Sequence, residues 1–346
     1  MKKDLILQLE NEFQKTVEDT IWQFEGYGLR VNVHLIENHI INAGVHKVPN
    51  TDQTYEIYIN TGVIESLKEA LDNVYLKAID DEDFSHYQFE SIDTLYRHYE
   101  NSTAKNSFMD LLVRYISHNI LFHECGHILL GHCDGRINEV CEQSSSNSNS
   151  GGYGLQSREM MADWYGTKIA TSVLLFSFAH ECGYRIHSIN DIFTVRKILF
   201  LALLALYCQY NLFEATEHRI DEFSEQALKK RTHPHPYIRL LYGCDIVKET
   251  LMDVFEQINH INASQSEQLM NEIVMSVVDD LLTMLKKMGL SNLGIDSYKR
   301  ELIECYISIR KKAASRKHST NPYIKVEMQK MSKAYLESLR SIAHIE

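Results

Sequence analysis

Two histidines and a glutamate between positions 123 and 127 have the types and spacing of a hydrolytic metal site. The segment reads His-Glu-Cys-Gly-His and lies in a stretch with a strongly helical pattern. Because residues four apart lie on one face of a helix, the imidazoles of His123 and His127 can bind one metal ion. The carboxylate of Glu124 can then reach a water held by that ion. The spacing predicts two zinc ligands and a general base, and the alternative is a histidine-rich surface helix.

A third ligand is expected from residues 157–163, which the pattern predicts as the start of a second helix. Glu159 and Asp163 are again four residues apart. Catalytic zinc takes three protein ligands and keeps a position for water. We expect Glu159 to complete the shell and Asp163 to hydrogen-bond the free ring nitrogen of a ligand histidine. The alternative is that both are solvated carboxylates, which the helix dipole favours in a first turn.

The residues after the motif do not supply a third histidine ligand. A three-histidine signature needs glycine at position 130 and histidine at position 133, where this chain has Leu130 and Cys133. His132 is one position off. We expect His132 either to hydrogen-bond to a ligand residue without touching the metal or to be a solvent-facing residue after Gly131.

Two of the chain's four prolines lie in the segment Thr232–Arg239, which carries His233 and His235. Each proline fixes its own φ angle and favours an extended conformation of the preceding residue. We therefore expect a rigid, non-helical segment. Such a segment can hold a group that donates a hydrogen bond to an oxyanion. The alternative is a stiff loop that only introduces the next helix.

These three segments together resemble the gluzincin metallopeptidases of the HtpX and CAAX-prenyl endopeptidase type. The shared pattern is H-E-x-x-H at 123–127, E-x-x-x-D at 159–163, and a His-Pro pair at 233–234 with arginine six residues after its histidine. The segment Tyr55–Ile64 looks like that family's strand–turn–helix element before the metal helix. The outline is also similar to phage-exclusion peptidases of the Lit type.

The resemblance implies a zincin-like core that hydrolyses peptide bonds in a peptide or protein substrate with bound zinc. The strand near Ile57 would then bind the substrate as an extra, extended strand. By the same resemblance, the zinc ligands are His123, His127 and Glu159, the base is Glu124, the residue that orients a ligand is Asp163, and the residues facing the substrate and the tetrahedral intermediate are His233 and Arg239.

The chain departs from that family in two respects, and other functions stay open. The family is largely membrane-embedded, whereas this chain has no clear span, and about sixty residues separate the strand at 57–59 from His123. One alternative is a binding or sensor protein that keeps the scaffold without turnover. Another is a phage-defence protease that acts on one host protein. Glu124 argues for catalysis, because a pure binding site needs no base.

Charge and cysteine content narrow the class of protein. The 346 residues hold 35 Lys and Arg against 47 Asp and Glu, a net charge of −12, which disfavours general nucleic-acid binding. Seven cysteines without a C-x-x-C pair are expected to be free thiols in a reducing compartment. The start, Met1–Asp4, leads into an amphipathic helix without a signal-like segment. We expect a cytoplasmic protein.

The apolar run Ile198–Tyr207 tests whether the chain enters a membrane. A spanning helix needs about 20 apolar residues, and this run is shorter. A helix that is apolar on all sides is then most simply a buried core helix. Membrane association is the disfavoured alternative.

The overall pattern predicts an α+β protein that is mostly α-helical, with a small N-terminal sheet and an all-helical C-terminal part. We expect a zincin-like domain over residues 1–245 and a helical region over 246–346, whose last 51 residues carry 11 Lys and Arg against 6 acids. The serine- and asparagine-rich loop at about 142–157 lies between the second and third ligands and is either a flap or a plain loop. Strands are expected at Arg30–Ile36 and Thr54–Asn60, an irregular insertion at 80–104, and helices at 5–24, 62–72, 107–131, 158–182, 191–214, 219–230, 236–260, 264–288, 296–314 and 322–342.

Overall fold

A computed structural model describes residues 3–25, 29–51, 53–80, 102–133, 153–181, 192–217, 225–231, 233–259, 263–287 and 304–309. The described residues are mostly helical and include one small β-sheet, as the sequence pattern predicts. The elements are α1 (Lys3–Glu25), β1 (Arg30–Ile36), β2 (Ala43–Lys47), β3 (Thr54–Asn60), α2 (Thr61–Asp80), α3 (Ser102–Leu129), α4 (Tyr153–Glu181), α5 (Ile192–Glu217), α6 (Glu225–Lys230), α7 (Pro236–Asn259) and α8 (Ala263–Lys287). A last short helix, α9, covers residues 304–309.

The three strands form one mixed sheet in the order β1-β3-β2. β1 runs parallel to β3, with Val33 opposite Ile57, and β2 runs antiparallel to β3, with Val45 opposite Ile57. Alternate residues of β1 and β3 are buried, which is the period-2 pattern that predicts their bounds in the sequence. β2 is not predicted, because it is short and contains Gly44.

The position of β3 overturns one expectation. The strand that carries Ile57 was expected to bind a substrate as an added strand, but both of its edges are hydrogen-bonded, one to β1 and the other to β2. A central strand has no free backbone groups for a further strand. Within the described sheet, a further strand could pair only with an edge strand, which is β1 or β2.

The helices α3 and α4 pack against each other along most of their length and carry a ladder of polar pairs. Hydroxyl oxygens of Tyr115 and Thr171 lie 3.3 Å apart, and the Asn119 amide donates to Thr167 at 3.1 Å. Two further rungs join position 123 to 163 and position 127 to 159. Each rung moves four residues forward in α3 and four back in α4, so one face of each helix carries the whole ladder.

Glycine allows these two helices to approach closely at the site. A methyl group placed on Gly166 would lie 2.6 Å from the carbonyl oxygen of Asn119 and 2.8 Å from the amide nitrogen of His123. One placed on Gly126 would lie 3.1 Å from the Cα of Ala162. The absent side chains therefore set the short distance between the backbones, and with it the distance between the polar groups on the two helices.

The apolar run Ile198–Tyr207 is a buried helix, as expected. Every residue from Ile198 to Tyr210 in α5 is buried, and α5 packs against α2, α3, α7 and α8. Within the described part of the chain, no helix is long and apolar enough to cross a membrane.

Some expected bounds are wrong. The helix α4 begins at Tyr153, not near Ser157, so residues 153–157 are not part of a loop. In this first stretch buried Gln156 hydrogen-bonds to a carbonyl in α6 and to one directly after it. α2 continues to Asp80 rather than ending near Asp72. α3 begins at Ser102 rather than near residue 107, so residues 102–104 are helical and not part of the expected insertion. Residues 81–101 of the expected insertion, 142–152 of the expected flap and most of the last fifty lie outside the described residues. α7 is continuous across position 245, and the two-domain division stays a prediction.

Candidate metal centre

Three side chains from α3 and α4 bring their ligand atoms to one point. The Nε2 atoms of His123 and His127 lie 3.1 Å apart. Oε2 of Glu159 lies 3.3 Å from the first and 3.5 Å from the second. Both histidines are buried, and Glu159 is nearly so. These three residues form a group that could hold a metal ion, the only such group within the described ranges.

The spacing of these atoms fits a metal better than it fits hydrogen bonds among them. Bonds of about 2.0–2.1 Å in a tetrahedral shell place ligand atoms about 3.3 Å from one another. The three observed separations bracket that value. Oε2 of Glu159 is buried and yet makes no hydrogen bond of good geometry within the described ranges, although imidazole nitrogens surround it. A carboxylate oxygen buried in this way needs a cation.

Asp163 contacts His123 at the ring nitrogen that points away from the candidate metal position. Its Oδ1 lies 2.9 Å from Nδ1 of His123. With Nδ1 carrying the proton that Asp163 accepts, Nε2 of the neutral ring is the free lone pair, which is the tautomer that a metal requires. Asp163 is 1% exposed. Burial alone would raise the pKa of this carboxyl, but Arg239 and His123 outweigh it and lower the pKa to about 2.

Arg239 binds Asp163 through two hydrogen bonds. Its Nε donates to Oδ2 at 2.8 Å and its Nη2 to Oδ1 at 2.6 Å. The guanidinium also lies 4.3 Å from the centre of the Tyr210 ring. This two-point contact fixes the carboxylate plane and so the direction of the His123 ring. Arg239 borders the cleft described below, and its expected contact with a substrate stays a prediction beside this observed role.

His132 holds the second ligand in a similar way. Its Nδ1 lies 2.8 Å from Nδ1 of His127. Burial, with the nearby His127, lowers the pKa of His132 to about 3, so the ring is neutral and can accept a hydrogen bond from His127. The contact agrees with the first of the two expectations for His132, whose side chain is half-buried rather than fully exposed to solvent.

The end of α3 explains how His132 reaches that position. Gly131 has a φ of 70°. Its N–H donates to the carbonyl of Ile128, and the N–H of His132 donates to the carbonyl of His127. This is the Schellman arrangement, which folds the residue after the glycine back over the last turn of the helix. A glycine in this place is the sequence signal that points to a contact between His132 and His127.

His233 comes to the site from the segment between α6 and α7. Its Nε2 lies 3.2 Å from Oε2 of Glu159, but it is outside the group whose atoms lie mutually close. Residues 233–235 are non-helical, as expected, but the expectation of a non-helical segment up to Arg239 is wrong, because Pro236 is the first residue of α7 and proline is favoured at that position of a helix. His233 is therefore placed beside the metal position rather than in it.

Gln156 ties this segment to the helix that carries Glu159. Its Nε2 donates to the carbonyl of Leu228 at 2.6 Å and to that of Arg231 at 3.1 Å. The next histidine, His235, is buried and accepts a hydrogen bond on Nδ1 from the Tyr237 amide at 3.2 Å, which caps α7. His235 thus supports the helix, whereas His233 faces the site. Nothing in the local sequence around Gln156 indicates its role, because its partners are more than seventy positions away.

A cleft opens beside His123. It has an empty volume of about 470 Å³, part of it open to solvent. Among the residues that line it are His123, Glu124, His233 and Arg239. Glu124 is 3% exposed and occupies the position next to the first ligand that the sequence predicts. The other lining residues are Ala43, Ile120, Gln209, Tyr210, Phe213, Pro234 and Pro236.

The electrostatics of the ligands follow from burial and mutual contact. Burial disfavours a charged His123, but the nearby carboxylates of Asp163 and Glu159 outweigh it and raise its pKa to about 10. Burial also disfavours a charged Glu159, yet the imidazoles of His127 and His233 hold the pKa of this carboxyl well below its usual range. The carboxylate is therefore ionised at neutral pH, and a proton on His123 takes the place that a cation would fill.

None of the described cysteines belongs to the group of His123, His127 and Glu159. Cys125, inside the motif, is buried on the opposite side of its turn, and burial raises the pKa of its thiol. The described cysteines form no disulfide; they are Cys125, Cys133, Cys208, Cys244 and Cys305. Cys141 and Cys182 lie outside the described residues.

Comparison of the chain with protein-family models, with curated proteins and with solved structures finds no match.

Proposed function

We propose that the protein is a zinc-dependent endopeptidase built on a zincin-like core, with His123, His127 and Glu159 as ligands. The observation that carries the proposal is the place of Glu124. A site that only binds metal needs no carboxylate beside its ligands in the wall of a cleft. Three protein ligands rather than four also favour a catalytic over a structural zinc site. Zinc suits two imidazoles and a carboxylate in this spacing.

The proposed reaction assigns one task to each group of this chain. Zinc, when bound, acidifies water and polarises the scissile carbonyl. Glu124 accepts the proton of the attacking water and then delivers it to the leaving amine. His233 donates a hydrogen bond to the oxyanion that develops on the carbonyl oxygen. Asp163 and His132 keep the two ligand rings in the orientation and tautomer that the reaction needs.

The substrate is proposed to be a peptide in extended form. Ala43, the first residue of β2, lines the cleft, and β2 is an edge strand of the described sheet. A peptide added to β2 would run past Glu124 with its backbone paired to the sheet. This mode recognises backbone, so that specificity comes from the side chains that line the cleft.

The test is cleavage mapping of a peptide library and of a whole proteome by the purified full-length protein. Three preparations are compared: as purified with about one zinc per chain, stripped by a chelator, and stripped and then restored with zinc. The proposal predicts new amino termini with the first and third preparations and none with the second. Cleavage that persists unchanged in the stripped protein, or no cleavage in any preparation, would overturn it.

A further inference from the structure

Gln209 is a buried polar side chain in the wall of the cleft that the proposed reaction does not use. It lies on α5 directly after a long apolar run and is 2% exposed. It nevertheless lines the same cleft as Glu124 and His233. Buried side-chain amides normally have hydrogen-bond partners for both of their terminal atoms.

The neighbours of Gln209 fix which way its amide faces. The Nδ2 atom of Asn119 donates to Oγ1 of Thr167 at 3.1 Å, so Oδ1 of Asn119 is the atom left to accept. Nε2 of Gln209 meets that oxygen at 3.5 Å. This order of donors and acceptors leaves Oε1 of Gln209 in need of a donor. No residue in the described ranges supplies one.

An extended peptide offers donors of the required kind. In a strand, backbone N–H groups point alternately to the two edges. If one edge of the peptide pairs with β2, the N–H groups of its other edge need acceptors from elsewhere in the cleft. α3 packs against both β2 and α5, and residues of all three elements line the cleft.

We propose that Gln209 is a substrate-binding residue whose Oε1 accepts a hydrogen bond from one backbone N–H of the peptide, on the edge that faces away from β2. The inference rests on the proposed peptidase function and deepens it. Gln209 transfers no proton. It fixes the register of the peptide, so that the scissile bond stands in front of Glu124.

The test uses the zinc-loaded full chain and a peptide that the wild-type protein cleaves, remade as a series in which each backbone N–H is replaced in turn by N-methyl. Gln209→Met keeps the length of the side chain and removes the acceptor. We expect it to lower kcat/KM for the parent peptide by about three- to tenfold, the effect of one hydrogen bond. For the wild type, one N-methyl peptide should have a kcat/KM well below that of the parent peptide. In Gln209→Met this difference between the two peptides should disappear.

Asn211→Met is the matched control on the same helix. Its amide donates to the carbonyl of Tyr207 at 2.8 Å, and it does not line the cleft. It should keep the wild-type penalties along the whole series, and its thermal midpoint should fall at least as far as that of Gln209→Met.

The outcomes separate the two proposals. N-methyl penalties that are identical in the wild type and in Gln209→Met would overturn the inference and leave the peptidase function standing. A wild-type protein that cleaves no peptide would overturn both.

Discussion

His123 is the ligand whose protonation the site controls most strongly. In the metal-free protein its pKa is raised to about 10, so Nε2 carries a proton at pH 7 that zinc must displace. We expect zinc binding at pH 7 to release about one proton and the affinity to fall about tenfold for each pH unit below 10. Calorimetric titration in two buffers of different ionisation enthalpy measures this number, and release of no proton would contradict the assignment.

The same shift sets the pH dependence of the metal-free fold. A pKa that is higher in the folded state than in the unfolded state stabilises the fold fully below the unfolded value of 6.5. That contribution is lost as the pH rises through about 10. With zinc bound, this dependence between pH 6.5 and 10 disappears, because the folded ring no longer titrates there.

His233 separates two possible roles for the group beside Glu159. As a donor to the oxyanion, it can be lost without loss of metal. We expect His233→Ala to keep its zinc and to lower turnover by about 10²–10³-fold. The control is His34→Ala, at an exposed position of β1; His235 is unsuitable because it caps α7. If His233→Ala loses its zinc, His233 is a ligand and the assignment is wrong.

Arg239 can act on the substrate or through Asp163, and the two roles predict different losses. If the role of Arg239 is to pair with Asp163, then Arg239→Met leaves a buried carboxylate without its cation. This change should destabilise the fold by about 3–5 kcal/mol. Zinc affinity should fall about 10- to 100-fold. Denaturant unfolding and competition with a zinc chelator measure these effects.

The double variant Asp163→Asn/Arg239→Met should recover part of the stability, since the unpaired charge is gone. If Arg239→Met keeps both stability and zinc and loses only turnover, the residue faces the substrate instead, as the resemblance implies.

At the scale of the element, the distance between α3 and α4 decides whether the ligands meet. Gly166→Ala puts a methyl group against the backbone of Asn119 and His123, which cannot move aside without moving the helix. We expect a loss of about 1–3 kcal/mol from overpacking, with weaker zinc binding. Thermal unfolding and metal analysis check both expectations.

Gly243→Ala on α7 is the matched control. The added methyl there meets Cδ1 of Leu206 at 2.8 Å, the far end of a flexible side chain. Alanine is about 1 kcal/mol more favourable than glycine in a helix, so this variant should be near neutral. Equal destabilisation by the two changes would show that close backbone contact at Gly166 does not determine the site.

Elements with a strong local period are the ones that the sequence predicts well. β1 and β3 have the expected bounds because apolar and polar residues alternate along both. The i, i+4 spacing alone predicts that His123 shares a helix face with His127, and Glu159 with Asp163. β2 has no comparable pattern, since three of its five residues are buried in succession.

Contacts between distant segments are what the sequence does not predict. The bonds from Gln156 to Leu228 and Arg231, and the pairing of Arg239 with Asp163, depend on how helices pack. His132 is an intermediate case, because Gly131 is a local signal for a helix end that turns back on itself. Glu159 could be proposed as the third ligand from its spacing alone. How α4 is aligned against α3 depends on the close backbone contacts at the glycines, which the sequence does not predict.

At the scale of the whole molecule, the candidate metal centre lies where two hydrophobic clusters meet on α4. One side of this helix places Tyr165 and Ile169 in the large cluster with the sheet, α3 and α5. The other side places Met160 and Met161 in a smaller cluster with α7 and α9. Glu159 and Asp163 lie between the two. Packing on both sides fixes α4, and therefore the carboxylates, without using the polar face.

The central claim is that Glu124 is the base of a metal-dependent hydrolysis at this centre. The most direct measurement is the turnover of one cleaved peptide by Glu124→Gln and by the wild type, both adjusted to the same zinc content. Glutamine keeps the size of the side chain and cannot accept the proton. The account predicts an unchanged fold, unchanged zinc binding and a loss of turnover of at least about 10²-fold. Turnover close to the wild-type rate at equal zinc content would contradict it.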